Sequence, residues 1–204
     1  MSLGVVVPYW RNRPPLENLA VAALADRYGY SELWAGEMDS FDALAFTGAV
    51  ARETKRITIT IGPLAVGVHT PVGMAMGVAS VSALGRRPAR LAIGVSTRAI
   101  VAAWHGRAWN QGPQRLAAAV SIVRQVLEGG RSDFADGPVQ SRGFRLTTFP
   151  AMEAHVTVAA FGRRATAVAA VMADRSVLNL VTIDQVARQR SLLDELAGPP
   201  LAVW

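Results

Sequence analysis

The chain has 204 residues, of which 51% are hydrophobic and 18% are charged, so it can bury a core and is not a disordered tail. It contains no cysteine, which excludes disulfides, thiolate zinc sites and cysteine nucleophiles. The formal net charge of +6 comes almost entirely from arginine, because Lys55 is the single lysine. The arginines are scattered rather than gathered in a basic stripe with aromatic residues, so we expect no nucleic-acid partner.

No apolar run approaches the roughly 18 residues of a membrane-spanning helix, and the chain does not open on a charged-then-apolar signal segment. We therefore expect a cytoplasmic protein without a membrane partner.

Short β-branched runs alternate with segments of helical periodicity from the first residues onwards. The first run is rich in valine and is stopped by Pro8, and Pro71 is suitably placed at the start of a helix. This pattern predicts strands at 4–9, 32–35, 57–66, 91–95, 155–160, 176–180 and 201–204. The predicted helices cover 16–24 (closed at 28–30), 41–53, 72–84, 114–127, 165–173 and 184–196.

Seven strands and six helices in alternation predict a parallel sheet covered by helices. Residues 129–150 interrupt the rhythm with glycine and proline and are expected to form a loop with a short hairpin. An open doubly wound sheet and a (β/α)₈ barrel fit this count equally well, although a barrel usually needs about 250 residues. In both folds, sites form at the carboxyl ends of the strands.

Three carboxylates follow the second predicted strand within six residues, at Glu37, Asp39 and Asp42. A carboxylate at a strand end can act as a general acid or base. Alternatively, Asp39 or Ser40 caps the next helix, with Asp42 in its positive first turn. Glu37 is nearest to the strand and is the best candidate for chemistry.

Later strand ends carry further candidate features. A glycine-proline pair inside the third run predicts a bulge where backbone can approach a flat ligand. Ser96 and Thr97 follow the fourth run, and Gly162 and Arg163 precede a helix. The free N–H groups of a helix start, beside an arginine, form an anion site, although a solvated helix start is the simpler explanation.

Several familiar motifs are absent from the sequence. It contains no GxGxxG after the first strand, no GxxxxGK[ST] and no GxSxG. His69, His105 and His155 have no metal-ligand spacing, so we expect no metal site, and His155 is expected to be structural.

Taken in order, several fragments resemble the luciferase-like monooxygenase superfamily, and within it the coenzyme F420-dependent oxidoreductases of the methylenetetrahydromethanopterin reductase type. The matching fragments lie at 33–96 (beginning LWAGEMDSFD), 103–109 (AWHGRAW), 142–146 (RGFRL) and 156–182 (beginning VTVAAFGRR). The resemblance covers most of the chain and implies one domain over 1–204, a TIM-barrel-like (β/α)₈ fold with parallel strands that is incomplete after about seven strands.

The resemblance also implies a flavin or deazaflavin at the carboxyl mouth of the barrel. The end of the third strand would lie against the tricyclic ring, and later strand ends would contact the ribityl and phosphate groups. Carried over residue by residue, the implied cofactor contacts are Leu64, Ala65, Val66, Ser96, Thr97, Phe161, Gly162, Arg163 and Asn179.

This sequence departs from the family pattern in two respects. Many members have a histidine directly after the acid that ends the second strand, but here Met38 follows Glu37, which leaves Glu37 as the catalytic candidate. Family members also continue for roughly another third of their length. We therefore expect the barrel not to close by itself. The chain is then a fragment, a naturally shortened member or one whose gap a partner chain covers, and we expect a homodimer to cover the exposed edge.

The resemblance favours an F420-dependent oxidoreductase that transfers a hydride between the deazaflavin and a small organic substrate. Glu37 would donate a proton or orient the substrate, and Arg163 would hold phosphate. An FMN-dependent monooxygenase is one alternative. A non-catalytic flavin-binding or structural remnant of the fold is another.

Overall fold

The computed structural model of the chain describes residues 3–7 and 13–204. Nine strands and six α-helices lie within these residues. The strands are β1 (Gly4–Val7), β2 (Glu32–Ala35), β3 (Thr58–Ala65), β4 (Arg90–Gly94), β5 (Asp133–Phe134), β6 (Ser141–Arg142), β7 (Val156–Ala159), β8 (Arg175–Leu178) and β9 (Leu201–Val203). The helices are α1 (Glu17–Arg27), α2 (Ala43–Glu53), α3 (Pro71–Gly85), α4 (Gly112–Leu127), α5 (Arg163–Met172) and α6 (Ile183–Glu195).

Seven of the strands form one parallel sheet in the order β1-β2-β3-β4-β7-β8-β9. The order follows the chain, with a helix between most neighbouring strands, so the sheet is a TIM-barrel-like half-barrel. The predicted fold class and the seven predicted strands are confirmed. The predicted first strand extended to Tyr9, but residues 8 and 9 lie outside the described residues.

Alternating side chains give the sheet two different faces. Leu33, Ile59 and Leu91 belong to the large core that the helices cover. The other face carries Trp34 and Val177, in a smaller cluster that also includes Ala92. Both faces are thus packed, which explains the near-continuous apolar strands in the sequence.

Side-chain caps fix the starts of two helices that follow strand ends. The Asp42 carboxylate accepts a hydrogen bond from the Ala45 N–H at 2.7 Å, so the cap of α2 is Asp42 and not Asp39 or Ser40 as predicted. Asp42 is suited to this position because its backbone is extended there, while its side chain reaches the free N–H groups of the first turn. Thr70 caps α3 in the same way, with Pro71 in the first turn as predicted.

The segment 129–150 contains the antiparallel pair β5–β6, separate from the large sheet. Among the described residues, β1 and β9 are the outermost strands of that sheet. The expected homodimer across this open edge stays a prediction. None of the helices in the described ranges is long and apolar enough to cross a membrane.

Candidate active site

The carboxyl ends of β2, β3 and β4 border a small open cleft. It combines a carboxylate, an imidazole and a hydroxyl with mostly apolar neighbours. Its lining residues are Glu37, Met38, Pro63, Ala65, Val68, Ser96, Ile100, Trp104 and His105. Three of the sequence-predicted site residues, Glu37, Ala65 and Ser96, therefore contribute to one cleft.

The end of β3 forms one wall of this cleft. The pairing of β3 with β4 shifts between Ile61 and Leu64, and the Gly62-Pro63 peptide bond is cis. Gly62 has a φ of +109°, and a Cβ at this position would lie 2.2 Å from the carbonyl oxygen of Ala92. Only glycine fits here, and the predicted bulge directs Pro63 towards the cleft.

Leu64 and Val66, on either side of Ala65, have their side chains in the core. The Val66 N–H is also occupied, since it donates to the Gly94 carbonyl at 3.0 Å. Of the three predicted ring contacts Leu64, Ala65 and Val66, Ala65 is therefore the one that lines the cleft.

The end of β4 leads into a short π-helix, Ala99–Trp104, which forms the opposite wall. Ser96 turns the chain with a φ of +62°, and the Thr97 hydroxyl accepts from the Ile100 N–H at 3.3 Å. Trp104 and His105 end this segment at the cleft. The π-helix was not predicted from the sequence, because a segment of six residues is too short to show a recognisable periodicity.

Glu37 is hydrogen-bonded to His69, which lies between β3 and α3. Glu37 Oε2 and His69 Nε2 form a short contact, and both side chains are about four-fifths buried. The other carboxylate oxygen, Oε1, faces the Ala43 N–H at 3.5 Å. His69 reaches this position because its own N–H and that of Val68 both donate to the Ala65 carbonyl, which turns the chain back over the strand end.

The hydrogen bond between Glu37 and His69 shifts the pKa values of the two residues in opposite directions. The hydrogen bond to Glu37 raises the pKa of His69, with support from the charges of Glu37 and Asp42, and this outweighs burial. Burial opposes ionisation of Glu37. The hydrogen bond and charge of His69, the Ala43 N–H and the charge of His105 outweigh it and lower the pKa of Glu37. Between these two pKa values the pair is a carboxylate and an imidazolium.

The remaining predicted contacts lie farther along the same edge of the sheet. Phe161, Gly162 and Arg163 follow β7, and all three are exposed. Gly162 is the N-cap residue of α5 and has no side chain to cap it, so α5 begins with Arg163 and Arg164 and without a side-chain cap. Asn179 directly follows β8 and is partly buried.

Sequence reasoning missed His69, His105 and Trp104. His69 stands 32 residues from Glu37, so no local spacing links the two. A weak signal was available, because His69 follows the third predicted strand just as Glu37 follows the second. Neighbouring parallel strands end at one edge, and their terminal loops therefore meet.

Chemically, the cleft can bind a small apolar group and present it with an ionised carboxylate, an imidazole and a hydroxyl. Among the described residues, no group of three or more side chains with metal-binding chemistry lies together. The start of α5 supplies N–H groups and two arginines that suit a phosphate.

Comparisons of sequence and of structure show several proteins to which this chain is similar. A protein of Mycobacterium tuberculosis named as a coenzyme F420-dependent oxidoreductase is 27% identical over 146 residues, which cover 70% of this chain and 40% of that protein. The coenzyme F420-dependent tetrahydromethanopterin reductase of Methanopyrus kandleri superposes with a TM-score of 0.86 at 14% identity, covering 99% of this chain and 64% of that one.

A third similar protein binds a different cofactor. The oxygenating constituent of 3,6-diketocamphane monooxygenase from Pseudomonas putida, solved in complex with FMN, has a TM-score of 0.78 at 17% identity. The match covers 100% of this chain and 66% of that one. The chain thus spans less than two thirds of the length of the first two relatives. The model of the luciferase-like monooxygenase family matches residues 1–200, and the chain belongs to that family.

Proposed function

We propose that this chain carries the cofactor and acid-base sites of an F420-dependent oxidoreductase that transfers a hydride between the deazaflavin and a small organic substrate. One observation carries the proposal: a cleft that combines apolar side chains with the Glu37 carboxylate lies at the same sheet edge as a helix start suited to phosphate. When bound, the deazaflavin supplies the hydride chemistry, and the protein supplies orientation and charge.

The residues at this edge fit such a cofactor. The β3 bulge presents Pro63 and the small Ala65 side chain to the cleft, and a flat ring would lie against these two residues. At the start of α5, no atom lies within 4 Å of a Cβ built on Gly162, so a ligand can approach the backbone there. Arg163 and Arg164 are exposed beside it.

We assign the ring to the β3 wall, with Ser96 and Thr97 at the ribityl group. The phosphate then lies at 161–163, with Asn179 as a further polar contact.

The choice of F420 over FMN rests on the similar proteins and on charge. The Mycobacterium tuberculosis and Methanopyrus kandleri proteins are both named for F420. The tail of F420 carries several carboxylates, which suits a chain of net charge +6. An FMN-dependent monooxygenase is the second candidate, because the phosphate of FMN suits the same helix start and the Pseudomonas putida protein holds FMN.

A matched pair of tryptophan variants tests the cofactor site. Gly162→Trp fills the open space at the start of α5, whereas Val171→Trp adds the same side chain at an 85% exposed position near the end of that helix. We expect the purified chain to quench F420 fluorescence with a micromolar Kd, Val171→Trp to bind equally well and Gly162→Trp to lose at least tenfold in affinity. Equal binding by both variants would contradict the phosphate assignment. Failure of the unsubstituted chain to bind either cofactor would contradict both enzyme functions.

A further inference from the structure

The residue that holds the proton at the cleft can be identified more closely. Glu37 lines the cleft directly, whereas His69 lies against the carboxylate and is 20% exposed. Glu37 follows β2 and His69 follows β3, so the pair bridges two adjacent strand ends. Met38, directly after Glu37, also lines the cleft and carries no ionisable group.

Four ionisable side chains act on this position. His69 interacts with Glu37 and with Asp42, which caps α2, and Glu37 also interacts with His105 at the end of the π-helix. The Asp42 carboxylate is held by the Ala45 N–H at 2.7 Å. Of these four side chains, Glu37 and His69 are the two that hydrogen-bond each other directly, so they titrate as a coupled unit.

We propose that Glu37 and His69 act together as the proton-carrying unit of the cleft, with His69 as the positioning residue and proton reservoir and Glu37 as the residue that meets the substrate. This inference rests on the proposed function. It replaces the expectation that Glu37 alone donates the proton.

The chemistry of the cleft indicates a small apolar carbonyl compound as substrate. Pro63, Ala65 and Ile100 offer apolar contacts, and the single carboxylate–imidazolium pair offers one proton. A bound reduced deazaflavin would supply the hydride to the carbonyl carbon, and the pair would supply the proton to the carbonyl oxygen, from His69 through the Glu37 carboxylate. The product is an alcohol, the imidazole is left neutral, and water returns one proton to the pair. The reverse direction oxidises the alcohol and loads the proton onto the pair.

Histidine titration of the cofactor-free protein tests the pair directly. The chain has three histidines, so their imidazole NMR signals can all be followed against pH and assigned with single His→Gln variants. We expect His69 to titrate above the usual histidine range, and Glu37→Gln to move its midpoint down to or below that range. His155 provides an internal control, because it belongs to the opposite end of the sheet and should keep its midpoint in Glu37→Gln.

An ordinary midpoint for His69, unchanged in Glu37→Gln, would overturn the inference even if F420 binds. Failure to bind F420 or FMN contradicts the proposed function instead, so the two failures are distinguishable.

Turnover provides a second readout once a carbonyl substrate is found. The rate of carbonyl reduction should fall as pH rises through the His69 midpoint, and Glu37→Gln and His69→Gln should each lower kcat by 10²–10⁴-fold, the usual contribution of a positioned acid. His69→Gln should also lose that limb of the pH profile. An unchanged pH profile in a folded His69→Gln variant would overturn the role of His69.

Discussion

Arg175 and Glu32 form a two-bonded ion pair between β8 and β2, across 143 residues of sequence. Arg175 Nη1 and Nη2 donate to the two Glu32 carboxylate oxygens at 2.8 and 2.6 Å, and the guanidinium lies 4.6 Å from the centre of the Trp34 ring. Burial opposes ionisation of Glu32, but hydrogen bonds from Arg175 and Thr60 outweigh it and lower the pKa of Glu32. The pair thus ties the two sides of the half-barrel together beneath the cleft.

Removing one partner of this pair should be costly. Arg175→Met leaves the buried Glu32 charge with only the Thr60 hydroxyl and the more distant Arg90 guanidinium, at 3.8 Å, so we expect it to lower the free energy of unfolding by about 3 kcal/mol in urea titrations. Adding Glu32→Leu should recover most of this loss, because the buried charge is then gone. Arg13→Met is the matched control, since the Arg13–Glu17 pair is exposed and its loss should change stability by less than about 1 kcal/mol. Equal effects of Arg175→Met and Arg13→Met would contradict a supporting role for the Glu32–Arg175 pair.

The Glu37–His69 pair should contribute stability in a defined pH window. The pKa of folded His69 is raised above its usual 6.5, so its contribution is complete below pH 6.5 and is lost as pH rises through the folded pKa. The pKa of folded Glu37 is lowered below 4.5, so its contribution is present above pH 4.5 and is lost as pH falls through the folded pKa. His69→Gln should therefore destabilise the protein most between the folded pKa values of Glu37 and His69, by about 1.5–3 kcal/mol for a hydrogen bond to a charged group. Urea unfolding of both proteins at several pH values measures the window, and a difference that does not vary with pH would contradict it.

His155 should make the protein sensitive to mild acid. Burial lowers the pKa of His155, and the nearby Arg90 and Arg175 charges lower it further. The Asp174 and Glu32 charges raise it but do not outweigh these effects. Its Nδ1 is buried without a hydrogen-bond partner among the described residues. The unfolded chain therefore takes up a proton here more readily than the folded chain, and stability falls as pH drops below 6.5. His155→Gln should lose less stability than the unsubstituted protein between pH 7 and 5; an equal or larger loss would argue against this source of acid sensitivity.

Two glycines should differ in how much stability they lose on substitution by alanine. At Gly62, a Cβ would lie 2.2 Å from backbone in a strand and the φ is positive, so Gly62→Ala should cost at least about 2 kcal/mol and disturb the β3 wall of the cleft. At Gly162, the added Cβ meets open space and φ is negative, so Gly162→Ala should cost less than about 1 kcal/mol. Thermal unfolding of both variants measures the difference. A similar loss for both would contradict the close approach at Gly62.

The alternation of apolar strands and periodic helices was enough to predict the parallel sheet, because both signals are local. It could not decide between an open sheet and a barrel, since that depends on long-range pairs such as Glu32 with Arg175. Glu37 and Ser96 were candidates because parallel strands end at one edge, and Ala65 was a candidate because of the resemblance to the luciferase-like family. His69 was missed, because its role depends on how two separate loops fold over that edge.

The central claim, F420 binding at this edge of the sheet, is tested most directly by competition between the two cofactors on the purified chain. Our account predicts that F420 fluorescence is quenched to saturation with a micromolar Kd and that an equal concentration of FMN does not displace it. Binding of FMN without F420 would contradict the deazaflavin assignment and favour the monooxygenase. Binding of neither would contradict both.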